Sequence, residues 1–124
     1  MEINELTHRI IGAAIEVHKT LGPGLLEKAY QKALSFELRL RGLKVDEEVN
    51  IPVKYKGIDV DDAFRADIIV EDRIIVELKA TEKDNPLYSK QLLTYMRFAD
   101  KELGLLINFN KARLLDGVER VINT

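Results

Sequence analysis

Glu77 and Lys79 lie two residues apart within the β-rich run Val70 to Ala80. On a strand that spacing projects both from one face while Val76 and Leu78 project from the other, so an acid and a base share a surface. Asp67 interrupts the apolar run Ala66, Ile68, Ile69 and Val70 just upstream. If the two runs form a hairpin with a three-residue loop, Glu71 to Arg73, Asp67 stands directly across from Glu77. A two-residue loop would instead pair Asp67 with Val76 and separate the acids. Two carboxylates placed together repel unless a cation sits between them, and a hard divalent ion such as Mg²⁺ or Mn²⁺ does this with one or two protein carboxylates and retained waters. Lys79 would then stabilise charge developing on a phosphate or hold a water. Nearby acids favour its charged form, which points to electrostatic work over proton abstraction. From spacing alone the other reading stays open: a solvated ladder of ion pairs on an exposed sheet face.

The elements that must position these groups are legible as changes of hydrophobic period. Ile3, Leu6, Ile10, Ala14, Val17 and Leu21 recur at helical spacing, so a first helix is expected over residues 2–20. Leu21-Gly22-Pro23-Gly24 breaks it. A second helix is expected from about Gly24 to Arg41, with Leu26, Tyr30, Ala33 and Leu40 as its apolar face and Leu34 toward one border. From Leu43 the period becomes two, with Lys56-Gly57 as a turn; the runs Ala63–Val70 and Arg73–Ala80 then read as a hairpin. Asp84-Asn85-Pro86 starts a third helix ahead of Leu87, Tyr88, Leu92, Tyr95, Met96 and Ala99. Leu103 to Phe109 reads as a buried strand, and Arg113 to Ile122 holds a last short one. The order ααββββαβ(β) clusters strands between helices, which predicts an α/β protein of the α+β type, a single domain over 1–124 with a mixed sheet flanked by helices.

Composition narrows the chemistry. The chain has 124 residues and no Cys, which excludes disulfides, thiolate metal sites and Cys nucleophiles. No apolar run is long enough to span a bilayer and Met1 to Thr7 carries no basic segment, so a cytoplasmic protein without a membrane partner is expected. A net charge of −2 and pI near 5.7 argue against non-specific coating of nucleic acid. The acidity is concentrated in Asp46, Glu47, Glu48, Asp59, Asp61 and Asp62. Lys28, Lys32 and Arg39 fall on one stripe of the second helix, and Lys90, Arg97 and Lys101 on one stripe of the third. Either could contact a phosphate backbone; the plainer reading is a solvated helix face. His18 reads as a structural residue and Tyr30 as core.

Further motifs stand in order around the pair. Asp67 followed by Glu77-Leu78-Lys79 resembles the PD-(D/E)XK signature of restriction endonuclease-like nucleases, with Ala66 in place of the Pro. Gly24-Leu25-Leu26-Glu27-Lys28-Ala29-Tyr30 resembles the motif of the GxxExxY family within that superfamily, and Val17 to Pro23 its amino-terminal segment. Gln91 to Tyr95 resembles the Q-x-x-x-Y helix of the exonuclease-like branch, and Gly104 to Phe109 its following strand. The resemblance implies a restriction endonuclease-like core in which Asp67 and Glu77 bind the metal, the Leu78 carbonyl is a further ligand, Lys79 completes the catalytic face and Glu27 reaches the same site to support a second ion or a water. Helical geometry permits the last role, because Glu27 falls between Leu34 and Leu38 in azimuth at about 100° per residue. Taken alone, Glu27 is also an ordinary first-turn acid favoured by the helix dipole. Gln91 and Tyr95, one turn apart, either bind a phosphate or orient Lys79 and a water, or else serve packing and capping. The implied activity is Mg²⁺-dependent hydrolysis of DNA phosphodiester bonds by a water that the ion activates. The alternative keeps the fold as a non-catalytic module binding nucleic acid or protein, and a homodimer is a further expectation for so small a nuclease. A carboxylate-pair glycosidase would leave Lys79 without a task.

Overall fold

The structure is a computed structural model that describes residues 1–61 and 63–124; Asp62, counted above in the acidic run, lies outside them. Helix α1 spans Ile3–Leu21 and α2 spans Glu27–Leu40. Strands β1 (Val45–Asn50), β2 (Val53–Tyr55), β3 (Ile58–Val60), β4 (Arg65–Val70) and β5 (Ile74–Lys79) follow. Helix α3 (Pro86–Ala99), β6 (Leu103–Asn108), a 3₁₀ turn (Leu114–Gly117) and β7 (Val118–Ile122) complete the chain. The expected α+β order holds with one addition, a break in the first β run. Pro52, which has no N–H to give a ladder, stands between β1 and β2.

The main sheet runs β1-β4-β5-β6-β7 and is mixed: β5 and β6 pair parallel across the α3 crossover, and every other neighbour pairs antiparallel. Strands β2 and β3 form a separate two-stranded ribbon. On one face of the sheet α1 and α2 enclose the larger core, where Leu6, Ile10, Val17, Tyr30, Leu34 and Leu38 meet Ile68, Val76, Leu78, Leu105 and Ile107. On the other face α3 lays Leu92 and Met96 over Ile69, Ile75, Leu106 and Val121. Gly104 lets α3 come close, since a Cβ there would stand 2.8 Å from Met96 Sδ. The start signal of α3 works as expected: Asn85 accepts a hydrogen bond from the Leu87 amide at 2.9 Å, and Pro86 takes the first helical position.

Helix α2 corrects its expected face. Leu26 and Leu40 are exposed, and the buried stripe is Tyr30, Gln31, Leu34, Ser35 and Leu38. The helix turns this side inward because Gln31 finds a partner there, donating to Glu47 at 3.3 Å, while Tyr30 stacks on Phe109 with centroids 4.4 Å apart. The acid-rich stretch is spent in the same region: Arg39 pairs with Glu47 at 3.1 Å and Lys28 with Glu48 at 2.6 Å. These contacts dock β1 against α2. His18 is structural, its Nε2 lying 2.8 Å from the Lys111 carbonyl.

Candidate active site

The β4–β5 turn decides whether the two acids meet. Val70 pairs with Ile74, so the loop is Glu71 to Arg73, and Glu71 and Asp72 adopt left-handed φ angles of 53° and 54° to close it. Three loop residues is the odd length that sets Asp67 across from Glu77. The regular ladder stops at Ile68 and Val76, and from there the carboxylates replace it. The Asp67 amide donates to Glu77 Oε1 at 3.0 Å, and the Leu78 amide donates to Asp67 Oδ2 at 2.8 Å. Each acid is thus tethered to the other strand's backbone through one oxygen. The contact Leu78 makes with the pair is through its amide, while its side chain enters the core on the opposite face.

Burial and mutual repulsion set the charge state. Burial, then the Asp67 charge, pushes Glu77 up to about 8, against opposing effects from the Asp67 amide and Lys79. Burial also raises Asp67, opposed by the Leu78 amide and by Lys79. In the bare protein the pair therefore resists holding two negative charges. This donor set fits a divalent cation: two carboxylates fixed by backbone bonds, with a repulsion between them that the amides and Lys79 only partly offset. Among the described residues no three carboxylate or imidazole groups close into a ready ligand cluster, so the preformed element is the Asp67–Glu77 pair.

Glu27 opens α2 and stands in line with that helix's buried stripe, which aims it toward the sheet. Although the residue is exposed overall, loss of water raises its carboxyl pKa, with Lys79 lowering it and Asp67 raising it. Its placement depends on Tyr30, whose hydroxyl donates to the Gly22 carbonyl at 2.5 Å and accepts from the Leu25 amide at 3.1 Å. Tyr30 is core, as expected, and it also straps the loop that delivers Glu27.

Lys79 holds its ammonium 4.3 Å from the centre of the Tyr88 ring. Tyr88 was legible only as part of the α3 apolar stripe; its lying three residues before Gln91 and seven before Tyr95 is the signal that places it on the same helix side. Gln91 and Tyr95 are half-buried on that side. Burial and the charge of Glu77 raise the Tyr95 hydroxyl pKa, and Phe64 stacks on its ring. Asn108, also not singled out by sequence, is Lys79's neighbour across β5 and β6. It is buried, accepts from the Thr81 and Asn110 amides at 3.2 and 3.0 Å, and donates to the Thr81 carbonyl at 3.0 Å, which pins the segment between Lys79 and α3.

The basic stripes divide. Lys28 and Arg39 are committed to Glu48 and Glu47, whereas Lys32, Lys90 and Arg97 make no ion pair among the described residues. Lys101 is held by the Asp72 carbonyl at 2.8 Å. No described helix is long and apolar enough to cross a membrane.

The arrangement of a mixed sheet flanked by helices, with an acid pair and a lysine on adjacent strands, is that of a restriction endonuclease-like fold. No curated protein and no solved structure matches the chain. The family model of the PD-(D/E)XK nuclease superfamily matches residues 4–121, and the chain belongs to that superfamily.

Proposed function

We propose that this protein is a nuclease of the GxxExxY branch that hydrolyses DNA phosphodiester bonds with Mg²⁺ or Mn²⁺. The observation that carries the reading is the Asp67–Glu77 pair, tied across the strands by the Asp67 and Leu78 backbone amides, with Lys79 on the same strand as Glu77. Asp67 and Glu77 would hold the ion, with the Leu78 carbonyl as a further oxygen. When bound, such an ion supplies Lewis acidity: it makes a water more acidic and offsets charge on the phosphate.

The chain's own residues do the rest. Lys79 supports the charge that builds on the non-bridging phosphate oxygens, and the Tyr88 ring keeps its ammonium directed. Glu27, whose raised pKa makes it a better base than an ordinary carboxylate, orients the attacking water and takes up its proton. Gln91 and Tyr95 position the phosphate from α3. Lys32, Lys90 and Arg97 contact the flanking backbone, where each phosphate contact adds salt dependence. Lys28 contributes only when it leaves Glu48, and Arg39 when it leaves Glu47.

One observation favours the second reading, a non-catalytic module, in its protein-binding form: two of the candidate phosphate contacts are already neutralised by acids. Incubation with linear, circular, single-stranded and branched DNA in Mg²⁺ and Mn²⁺ separates the two. The nuclease reading expects cleavage that EDTA abolishes and that Lys79→Ala lacks. Absence of cleavage on every substrate overturns the nuclease; DNA retention then marks a nucleic-acid module, and no retention a protein-binding one.

A further inference from the structure

Beside Lys79, on the side away from Asp67, the α3 face of the sheet opens into a cleft of about 430 Å³. Its position follows from the register. Glu77 pairs with Leu106 and Leu106 with Glu119, so a row across the strands carries the acid site, then an apolar floor, then a carboxylate on the edge strand. Tyr88 and Pro86 from the start of α3 supply further apolar walls, and Asp116 joins Glu119 at the rim. Asp116 and Glu119 make no ion pair among the described residues, the third lining acid, Asp84, is neutralised by Lys111 at 3.0 Å, and Lys79 is the one cation among the lining groups themselves.

We propose that this cleft is a base-binding subsite, taking the nucleobase of an unpaired nucleotide next to the phosphate held at Lys79. The proposal rests on the nuclease reading and adds a substrate class to it. Two free carboxylates repel a second phosphate, so the occupant is the uncharged part of a nucleotide. Apolar and aromatic walls suit a flat heterocycle. Carboxylate acceptors suit bases with an exocyclic amine, adenine, cytosine and guanine, over thymine, which presents a carbonyl at that position. A base inside a duplex cannot enter a cleft on a sheet face, so single strands, flaps and frayed ends are the substrates that fill it.

The test is calorimetric titration of the intact chain, without divalent ions, with dCMP, dAMP, dTMP and deoxyribose 5-phosphate. The amine-bearing nucleotides are expected to bind about tenfold tighter than dTMP, the discrimination of one hydrogen bond to a charged acceptor, with the sugar phosphate weakest. Glu119→Ala, at an exposed edge position, should narrow that ratio at unchanged melting temperature. Equal binding of dCMP, dTMP and the sugar phosphate overturns the subsite. So does a base preference that Glu119→Ala leaves intact. Base-selective binding without DNA cleavage in Mg²⁺ sinks the nuclease reading and leaves a nucleotide site; cleavage without base-selective binding does the reverse.

Discussion

The two faces of the central sheet are built to opposite ends. Under α1 and α2 the core is continuous and almost wholly apolar; Thr7 donates to the Ile3 carbonyl at 2.8 Å and Tyr30 straps its own loop, while the buried Ser35 hydroxyl has no partner among the described residues. Under α3 the apolar cluster is smaller, Lys79 and the cleft stand beside it, and the Asp67–Glu77 pair lies next to Lys79, with Glu27 reaching it from α2. One face stores stability, and the other spends some of it by burying two carboxylates side by side. Charge that is costly to keep in the bare protein is what gives a site its affinity for a cation.

Substitutions on the two faces should therefore separate activity from stability. The largest effect is expected on the α3 face, where Lys79→Ala should lower DNA cleavage by at least about 10²-fold while leaving the melting temperature nearly unchanged. The reciprocal change is Leu34→Ala under α2. It should cost about 2–5 kcal/mol in denaturant unfolding and leave the activity of the remaining folded fraction intact. A lysine variant that unfolds, or a leucine variant that folds stably but does not cut, breaks the comparison.

A pH titration sharpens it. Glu77 titrates near 8 in the folded chain against an ordinary 4.5, so between those values the folded state holds a proton that the unfolded state has released. Stability of the metal-free protein should fall as pH rises through that window and level off above it, with Glu27 and Asp67, both raised, contributing in the same direction. Glu77→Gln should flatten the curve and raise stability at pH 8. A curve that rises over the same range contradicts the assignment.

Smaller effects follow from the positioning residues. Tyr30→Phe loses two hydrogen bonds and should cost about 1–2 kcal/mol. Tyr88→Leu removes a cation–π contact of about 0.5–1 kcal/mol, so cleavage should slow by about two- to fivefold with little change in melting temperature.

The sequence carried the sheet-forming runs, the third helix's cap and the condition on which the site depends, a three-residue turn after Val70. What it could not carry were choices made by distant partners. Leu26 and Leu40 appear as apolar as Leu34 and Leu38, and only Gln31 meeting Glu47 shows which side of α2 is buried. The acidic run from Asp46 onward reads as surface, yet Glu47 and Glu48 capture Arg39 and Lys28, two cations that spacing offered to a phosphate backbone. Tyr88 reads as packing until the strand end places Lys79 over its ring.

The pair where the start of β4 meets the end of β5 is the claim on which the rest depends, and metal titration tests it most directly. Calorimetry with Mn²⁺ at pH 8 should show binding to the wild-type chain with protons released, and none to Asp67→Ala. Heat that is absent from the wild type, or unchanged in Asp67→Ala, would show that these carboxylates do not form a cation site.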